Sequence, residues 1–471
     1  MGDPPMIFRS HHLACLSQAS YLVADEASKV AVVVDPRRDV DDYLAQAKTL
    51  GVSIRHVILT HFHADFVSGH LELAAATGAS IHVGARGRTE YPSVPVHDGD
   101  ELVLGPAVRL SFLETPGHTP ESICVLVFDR AESDAAPHAV LTGDTLFLGD
   151  VGRPDLMASV GVSEAELAGW LYDSLHTKLL PLPDATRVYP AHGAGSLCGR
   201  QLSCETSSTL GVQRRTNYAL APMSRDEFVR RVTVDQPAAP AYFGYDAALN
   251  RRERPTLDRA LSAERALSLD EALAAVDRGA VLLDARSVGE FGAAHLAGSV
   301  HVGLDGRFAQ WAGSMIDPRT TVVLVAAPGT EREAAMRLAR VGFDRVAGHL
   351  SDPLSALKAR PDLVRRMAKV SPYEWLRLEG TPSAPFVVDV RSGAEHAAGH
   401  LDGDVNIPLP ELRARASELP RDRDLLVYCE TGYRSSIAVS ALVREGFDRA
   451  ADLVGGWVAC EAARAPAFPE P

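Results

Sequence analysis

Val57-Ile58-Leu59-Thr60-His61-Phe62-His63-Ala64-Asp65-Phe66 is the stretch on which the reading of the first half of the chain turns. Val57 to Leu59 are apolar and β-branched enough to be the end of a buried strand. Imidazoles at i and i+2, with a carboxylate two residues further on, then fall where a loop leaves that strand and can fold around one ion. Three more such places follow along the chain. His118 lies in Thr115-Pro116-Gly117-His118-Thr119-Pro120, and Asp144 ends Thr142-Gly143-Asp144 behind the apolar run Ala139 to Leu141. His192 closes Tyr189-Pro190-Ala191-His192. A lone histidine in such a setting reads best as a hydrogen-bonded core or loop residue. Four histidines and two aspartates, each in a Gly/Pro-bounded loop after an apolar run, suit a metal far better than a core.

Around these loops, strand-length apolar runs alternate with helical patterns from Ile7 to about Tyr189. Ala31 to Asp35 and Ile123 to Phe128 read as strands, and Asp41 to Leu50 and His70 to Thr77 as amphipathic helices. Arg214 to Val232 reads as a further helix, with the Pro-rich break Gln236 to Pro240 behind it. The charged segment Asn250 to Arg265 is expected to be a linker and entry helix.

An internal repeat follows. Asp284, Arg286, Glu290, His295 and Gly298 recur as Asp389, Arg391, Glu395, His400 and Gly403, all displaced by 105 positions. Gly342-Phe343-Asp344 returns as Gly446-Phe447-Asp448. Two copies of one domain of roughly a hundred residues is the economical explanation. Each copy alternates strand and helix, which implies a parallel sheet covered by helices. The expected domains are 1–245, 266–365 and 366–471, with 246–265 as linker.

Bulk properties narrow the functional classes. A chain of 471 residues exceeds one hydrophobic core, so two to four domains are expected. A net charge of −14 argues against nucleic acid and against an anionic membrane surface as partners. No apolar run approaches the ~20 residues of a membrane span, and Met1 to Ser10 lacks the pattern of a signal peptide, so a cytoplasmic protein is expected. Six cysteines without a CxxC pair are not a disulfide framework. Cys15, Cys124, Cys204 and Cys460 read as buried.

The ordered His/Asp loops of residues 7 to 195 resemble the metallo-β-lactamase superfamily. One departure carries information: that pattern has a histidine directly after the Asp, where this chain has Phe66. The usual residue helps hold a second metal, so the resemblance points away from a dinuclear zinc hydrolase and toward the persulfide dioxygenase branch. Carried over by motif position, that branch's ligands are His61, His118 and Asp144, holding one Fe(II) per chain with no organic cofactor. Two imidazoles and a carboxylate leave positions open for O₂ and a small thiol persulfide together. His63, Asp65 and His192 would then orient the ligands, or in the case of His63 join them. Gly149 to Asp155 is similar to the same branch, with Arg153 reading either as a binder of a substrate carboxylate or as half of a loop ion pair. Cys198, six residues after His192, is either a sulfur relay or a structural loop cysteine.

The second repeat contains Leu425-Leu426-Val427-Tyr428-Cys429-Glu430-Thr431-Gly432-Tyr433-Arg434-Ser435. A strand ending on cysteine, a short Gly loop and a helix start aim backbone N–H groups at the sulfur and cradle oxyanions. The loop resembles the rhodanese active site, which implies that Cys429 carries a persulfide and that Arg434 supplies charge beside it. The first repeat has Ala326 at the cysteine position and Glu331 at the arginine position, so it is expected to be catalytically silent. The fold class expected is an N-terminal αββα sandwich followed by two α/β rhodanese domains with parallel sheets. The activity expected is persulfide oxidation to sulfite coupled to sulfur exchange with sulfite or thiosulfate, in a homo-oligomer of two or four chains. Two alternatives stand beside it: a zinc thioester hydrolase similar to glyoxalase II, and a sulfur carrier in which only Cys429 reacts.

Overall fold

The structure is a computed structural model that describes residues 6–464 apart from 157–160, 201, 235, 237–238 and 262–264. The chain divides into two compact units, residues 1–259 with 339–342, and residues 260–338 with 343–471.

The first unit is built on two six-stranded sheets. One runs in the order Met6–Leu13, Gln18–Asp25, Val30–Val34, Ser53–Leu59, Ser80–Gly84, Val94–Val96. Its first three strands form an antiparallel meander, and the remainder pair in parallel through the helices Asp41–Leu50 and His70–Thr77. The other sheet runs Ser208–Thr209, Arg187–Pro190, Ala139–Gly143, Ile123–Asp129, Val108–Glu114, Glu101–Val103. Alternating side chains explain the layering. Tyr21, Val23, Val32, Val34 and Ile58 face Phe112, Val125, Val127 and Leu141 in a core between the sheets. Leu22, Val33 and Val57 point the other way, under Tyr43, Ala47 and Leu73 of the helices. Cys124, Leu126 and Val140 meet Leu171, Leu175 and Phe228 on the far side. The expected αββα sandwich is thus present, each helical layer buried by a period-two strand pattern.

The second unit holds two five-stranded sheets, parallel throughout. The first is ordered Ala266–Leu267, Val346–Leu350, Val322–Val325, Val281–Asp284, Val300–His301. The second is ordered Ala368–Val370, Ala450–Leu453, Leu425–Tyr428, Phe386–Asp389, Val405–Asn406. The repeated topology and the repeated sequence therefore coincide. Among the described residues no helix is long and apolar enough to cross a membrane.

Two local expectations are corrected. Arg214 to Val232 is not one helix; it breaks into Leu210–Thr216, a 3₁₀ turn at Tyr218–Leu220, and Arg225–Thr233. Asn217 leaves helical backbone, caps the turn through Ala219 N–H, and gives its amide to the Phe147 and Asp150 carbonyls. Ser224 then caps a new helix start. The charged segment from Asn250 carries a short helix at Leu257–Leu261. Asn250 is buried, and Arg254 forms a buried ion pair with Glu72 at 2.6 Å. Cys204 is exposed and Cys15 half-buried, while Cys124 and Cys460 are buried as expected.

Candidate functional site

Four loops leave the sheets of the first unit carrying the six polar residues singled out by the sequence, and all six are at most 2% exposed. Backbone geometry brings the two sheets together here. Ile123 N–H donates to the Thr60 carbonyl at 2.8 Å, and Gly143 sits at φ +51°, where a Cβ would lie 2.5 Å from Thr60 Oγ1. Only glycine allows that approach.

His61, His118 and Asp144 place one ligand atom each within 4.8 Å of one another. Asp144 Oδ2 is buried with no hydrogen-bond partner, 3.7 Å from His61 Nε2 and 3.5 Å from His118 Nε2. The outer nitrogens are tied down. Thr60 Oγ1 gives its proton to Asp35 Oδ2 at 2.7 Å, so at 3.0 Å it accepts from His61 Nδ1. His118 Nδ1 donates to the Arg153 carbonyl at 2.8 Å. Both Nε2 lone pairs therefore converge, with the orphaned carboxylate oxygen, on one point. Ligands about 2.0–2.2 Å from a divalent ion stand roughly 3.0–3.5 Å apart, so this set fits a metal with little adjustment. Burial, then the neighbouring His63, keeps the His61 pKa well below its ordinary value, which favours the neutral ring that ligation needs.

The other three residues lie just behind. His192 Nδ1 donates to Asp144 Oδ1 at 2.9 Å, and its Nε2 stands 3.0 Å from Asp65 Oδ2. Burial opposes a charge on His192, but Asp144 and Asp65 on either side outweigh it and hold its pKa well above the ordinary value. His63 Nε2 is 3.0 Å from Asp35 Oδ1, and its ring lies 4.3 Å from that of Phe66. Phe66 is fully buried and also faces the His192 ring, so a phenyl fills the position after Asp65.

Arg153 is buried and grips Asp155 through two bonds, at 2.7 and 2.5 Å. Its carbonyl reaches the site through His118. Cys198 is buried beside Asp144 and His192. Burial first, then Asp65 and Asp144, push its thiol pKa well up, which makes it a poor nucleophile in this setting.

Two residues here had no motif to announce them. Asp35, at the end of its strand, anchors Thr60 through both backbone and hydroxyl; a carboxylate closing an apolar run was the only signal. Asn250 donates to the His63 and Phe66 carbonyls, each at 2.8 Å, and accepts from Ser68 N–H. It clamps the His61–Asp65 loop from 185 positions away, counted from Asp65. Asn250→Ala strands three buried backbone groups and is expected to cost about 2–4 kcal/mol of stability, read as a lower urea midpoint with m unchanged.

In the second unit the strand Leu425–Tyr428 delivers Cys429 to the start of the helix Tyr433–Arg444. Gly432, at φ +104°, turns its N–H onto Cys429 Sγ at 3.1 Å, and the Ser435 hydroxyl stands 3.5 Å from the same sulfur. Arg434 is bound twice by Glu395, at 2.8 and 2.6 Å. Burial acts to raise the Glu395 pKa, but Arg434 and Ser392 bring it down to about 2. Arg434 thus borders the cradle as half of an ion pair. In the first repeat Ala326 follows the corresponding strand Val322–Val325, and Gly329 N–H donates to the Glu331 carboxylate at 2.8 Å. A built-in anion takes the hydrogen bond that the second repeat gives to sulfur.

The first repeat also touches the second repeat's loop and helix. Tyr433 Oη donates to the Gly303 carbonyl at 2.7 Å, and Gly306 lies so close that a Cβ there would be 2.4 Å from the tyrosine ring. His301 meets Ser436 and Ser440 of the helix at 3.2 and 3.0 Å.

Comparison with known proteins adds the following. A family model described as the metallo-beta-lactamase superfamily matches residues 13–192, and one described as the rhodanese-like domain matches residues 268–357 and 372–463. A hydroxyacylglutathione hydrolase of Polaromonas sp. is 35% identical over 37% of this chain and 61% of its own, so the chain spans less than two thirds of that relative. The mitochondrial persulfide dioxygenase ETHE1 of Bos taurus is 30% identical over 45% of this chain and 74% of its own. The crystal structure of a metallo-beta-lactamase from Staphylococcus aureus superposes with a TM-score of 0.66 at 30% identity, covering 74% of this chain and 99% of that one.

Proposed function

Because the chain belongs to the metallo-β-lactamase superfamily and carries two rhodanese-like domains, we propose that it oxidises a small-thiol persulfide with O₂ at one iron and exchanges sulfane sulfur with sulfite or thiosulfate at Cys429. The observation that carries the first half is the convergence of His61 Nε2, His118 Nε2 and the orphaned Asp144 Oδ2, with Phe66 filling the neighbouring place. Ferrous iron held by these three groups would supply the redox chemistry that joins O₂ to a persulfide sulfur. The chain's own residues do the rest. Thr60 and the Arg153 carbonyl fix the two rings, His192 holds Asp144, and Phe66 and Phe147 keep apolar walls beside His192.

At the second site the Cys429 thiolate attacks the outer sulfur of a persulfide, the S–S bond to the small thiol breaks, and that thiol leaves. Gly432 N–H holds the sulfur in place. Sulfite then takes the outer sulfur, the bond to Sγ breaks, and thiosulfate departs from a regenerated Cys429 thiolate. The first repeat has no thiol at this place, so its part is to support the helix of the second. A persulfide trapped on Cys198 during turnover, by peptide mass spectrometry, would give that residue the relay role.

The test is O₂ uptake by the iron-loaded protein on addition of glutathione persulfide, with sulfite and thiosulfate quantified. Rapid uptake with sulfite formed is the expected result. No uptake, together with hydrolysis of a glutathione thioester by the zinc-loaded protein, would replace the reading with the hydrolase. Phe66→His is expected to raise the metal bound from one ion per chain toward two, measured by elemental analysis after dialysis.

A further inference from the structure

Behind the Cys429 cradle lies a buried carboxylate that the proposed sulfur transfer does not use. Asp452, on the strand Ala450–Leu453, is 2% exposed, and its Oδ1 stands 2.6 Å from Ser435 Oγ. Ser435 is fully buried at the first turn of the helix that Cys429 precedes, and the same Oγ is 3.5 Å from Cys429 Sγ. One hydroxyl thus joins a carboxylate to the reactive sulfur, and it has a single proton to give.

We propose that Asp452 is the proton acceptor for the Cys429 thiol, acting through Ser435. With Asp452 ionised, Ser435 donates to it and the thiol S–H can donate to Ser435 Oγ. Proton transfer then moves along the line: the S–H proton passes to Ser435 Oγ, and the Ser435 proton passes to Asp452. The result is a Cys429 thiolate that accepts a hydrogen bond from Ser435, and a neutral Asp452 acid. The thiolate attacks the outer sulfur of a persulfide, the S–S bond to the small thiol breaks, and its leaving thiolate takes the Asp452 proton through Ser435, which restores the carboxylate. No oxidant or reductant enters, and the sum is one persulfide and one thiol exchanged for another such pair. This role rests on the sulfurtransferase reading above and deepens it.

The surroundings suit a base working near neutrality. Burial raises the Asp452 carboxyl, Ser435 and Lys369 pull it back, and it comes to rest at about 6. Lys369 faces it from the adjacent strand, as its pairing partner in the sheet. On the helix side stand Cys429, Ser435 and Arg434, the last already paired with Glu395. Above a pH of about 6 Asp452 is ionised and able to accept; as pH falls through that value the acceptor is lost.

The experiment is iodoacetamide alkylation of the full chain across pH 5 to 10, with the rate at Cys429 read from its own peptide by mass spectrometry. The wild-type rate is expected to show two inflections, one near pH 6 and one at higher pH. Asp452→Asn and Ser435→Ala are each expected to leave one inflection and to slow alkylation at pH 7 by at least about tenfold. Ser435→Thr, which keeps the hydroxyl, is expected to restore both. Ser435→Ala removes a single oxygen, so the test survives an Asp452 variant that fails to fold. Retention of the lower inflection in Ser435→Ala would overturn the proposal. Alkylation does not require turnover: a chain with two inflections but no thiosulfate formation would sink the sulfurtransferase reading and leave the relay standing.

Discussion

In Cys429→Ser, thiosulfate formation from glutathione persulfide is expected to fall by at least about 10³-fold while sulfite accumulates in its place. The reasoning is local. The loop gives one backbone N–H, from Gly432, to the sulfur at 3.1 Å and sets the Ser435 hydroxyl beside it. A serine oxygen can occupy that space, but at neutral pH it is neither ionised nor able to hold sulfane sulfur reversibly. The first repeat shows what remains without the thiol: a strand followed by Ala326 and a loop amide engaged by Glu331. Converting thiosulfate and cyanide to thiocyanate should be lost equally, and O₂ uptake should continue. Thiosulfate formed at the wild-type rate by Cys429→Ser would show that sulfite captures sulfur elsewhere.

The second large effect concerns the three converging ligand atoms. His61→Ala is expected to remove one ligand of three, to lower bound iron well below one per chain, and to cut O₂ uptake by at least about 10²-fold. Thr60→Val should separate ligation from orientation. It removes only the hydroxyl that passes the grip of Asp35 to His61 Nδ1. A loss of about 10–100-fold in activity or iron affinity is expected, smaller than that of His61→Ala. Equal losses in the two variants, measured by iron titration and O₂ electrode, would mean that Thr60 holds up the loop as a whole rather than the ring.

How far these features could be read beforehand depended on the range over which each is determined. The αββα sandwich and the paired parallel sheets follow from patterns confined to five to ten residues and from a repeat that keeps its spacing. His61, His63, Asp65, His118, Asp144 and His192 were visible because each sits directly behind a strand, where short Gly/Pro loops must turn. Asn250 and Asp35 carry no such local mark. Their roles come from contacts made only when distant segments meet. Asn217 was missed for a related reason: the residues around it have helical propensity, and the buried carbonyls of Phe147 and Asp150 override it. Arg153 shows the converse, since a short motif marked its position and left open whether its guanidinium would bind a substrate carboxylate or pair within the loop.

The grip of the first repeat on the helix behind Cys429 sets a limit on how this chain can be taken apart. A duplicated module normally becomes portable once each copy folds alone. Here the copy without a thiol touches its twin: Gly303 receives the Tyr433 hydroxyl, and His301 meets Ser436 and Ser440. Excising the last hundred residues as a sulfur-transfer cassette would hand three side chains of the reactive helix back to water. The duplication has given one copy the part of a mould, and the tandem, rather than the last copy alone, is expected to be the piece that keeps these contacts when moved to another protein.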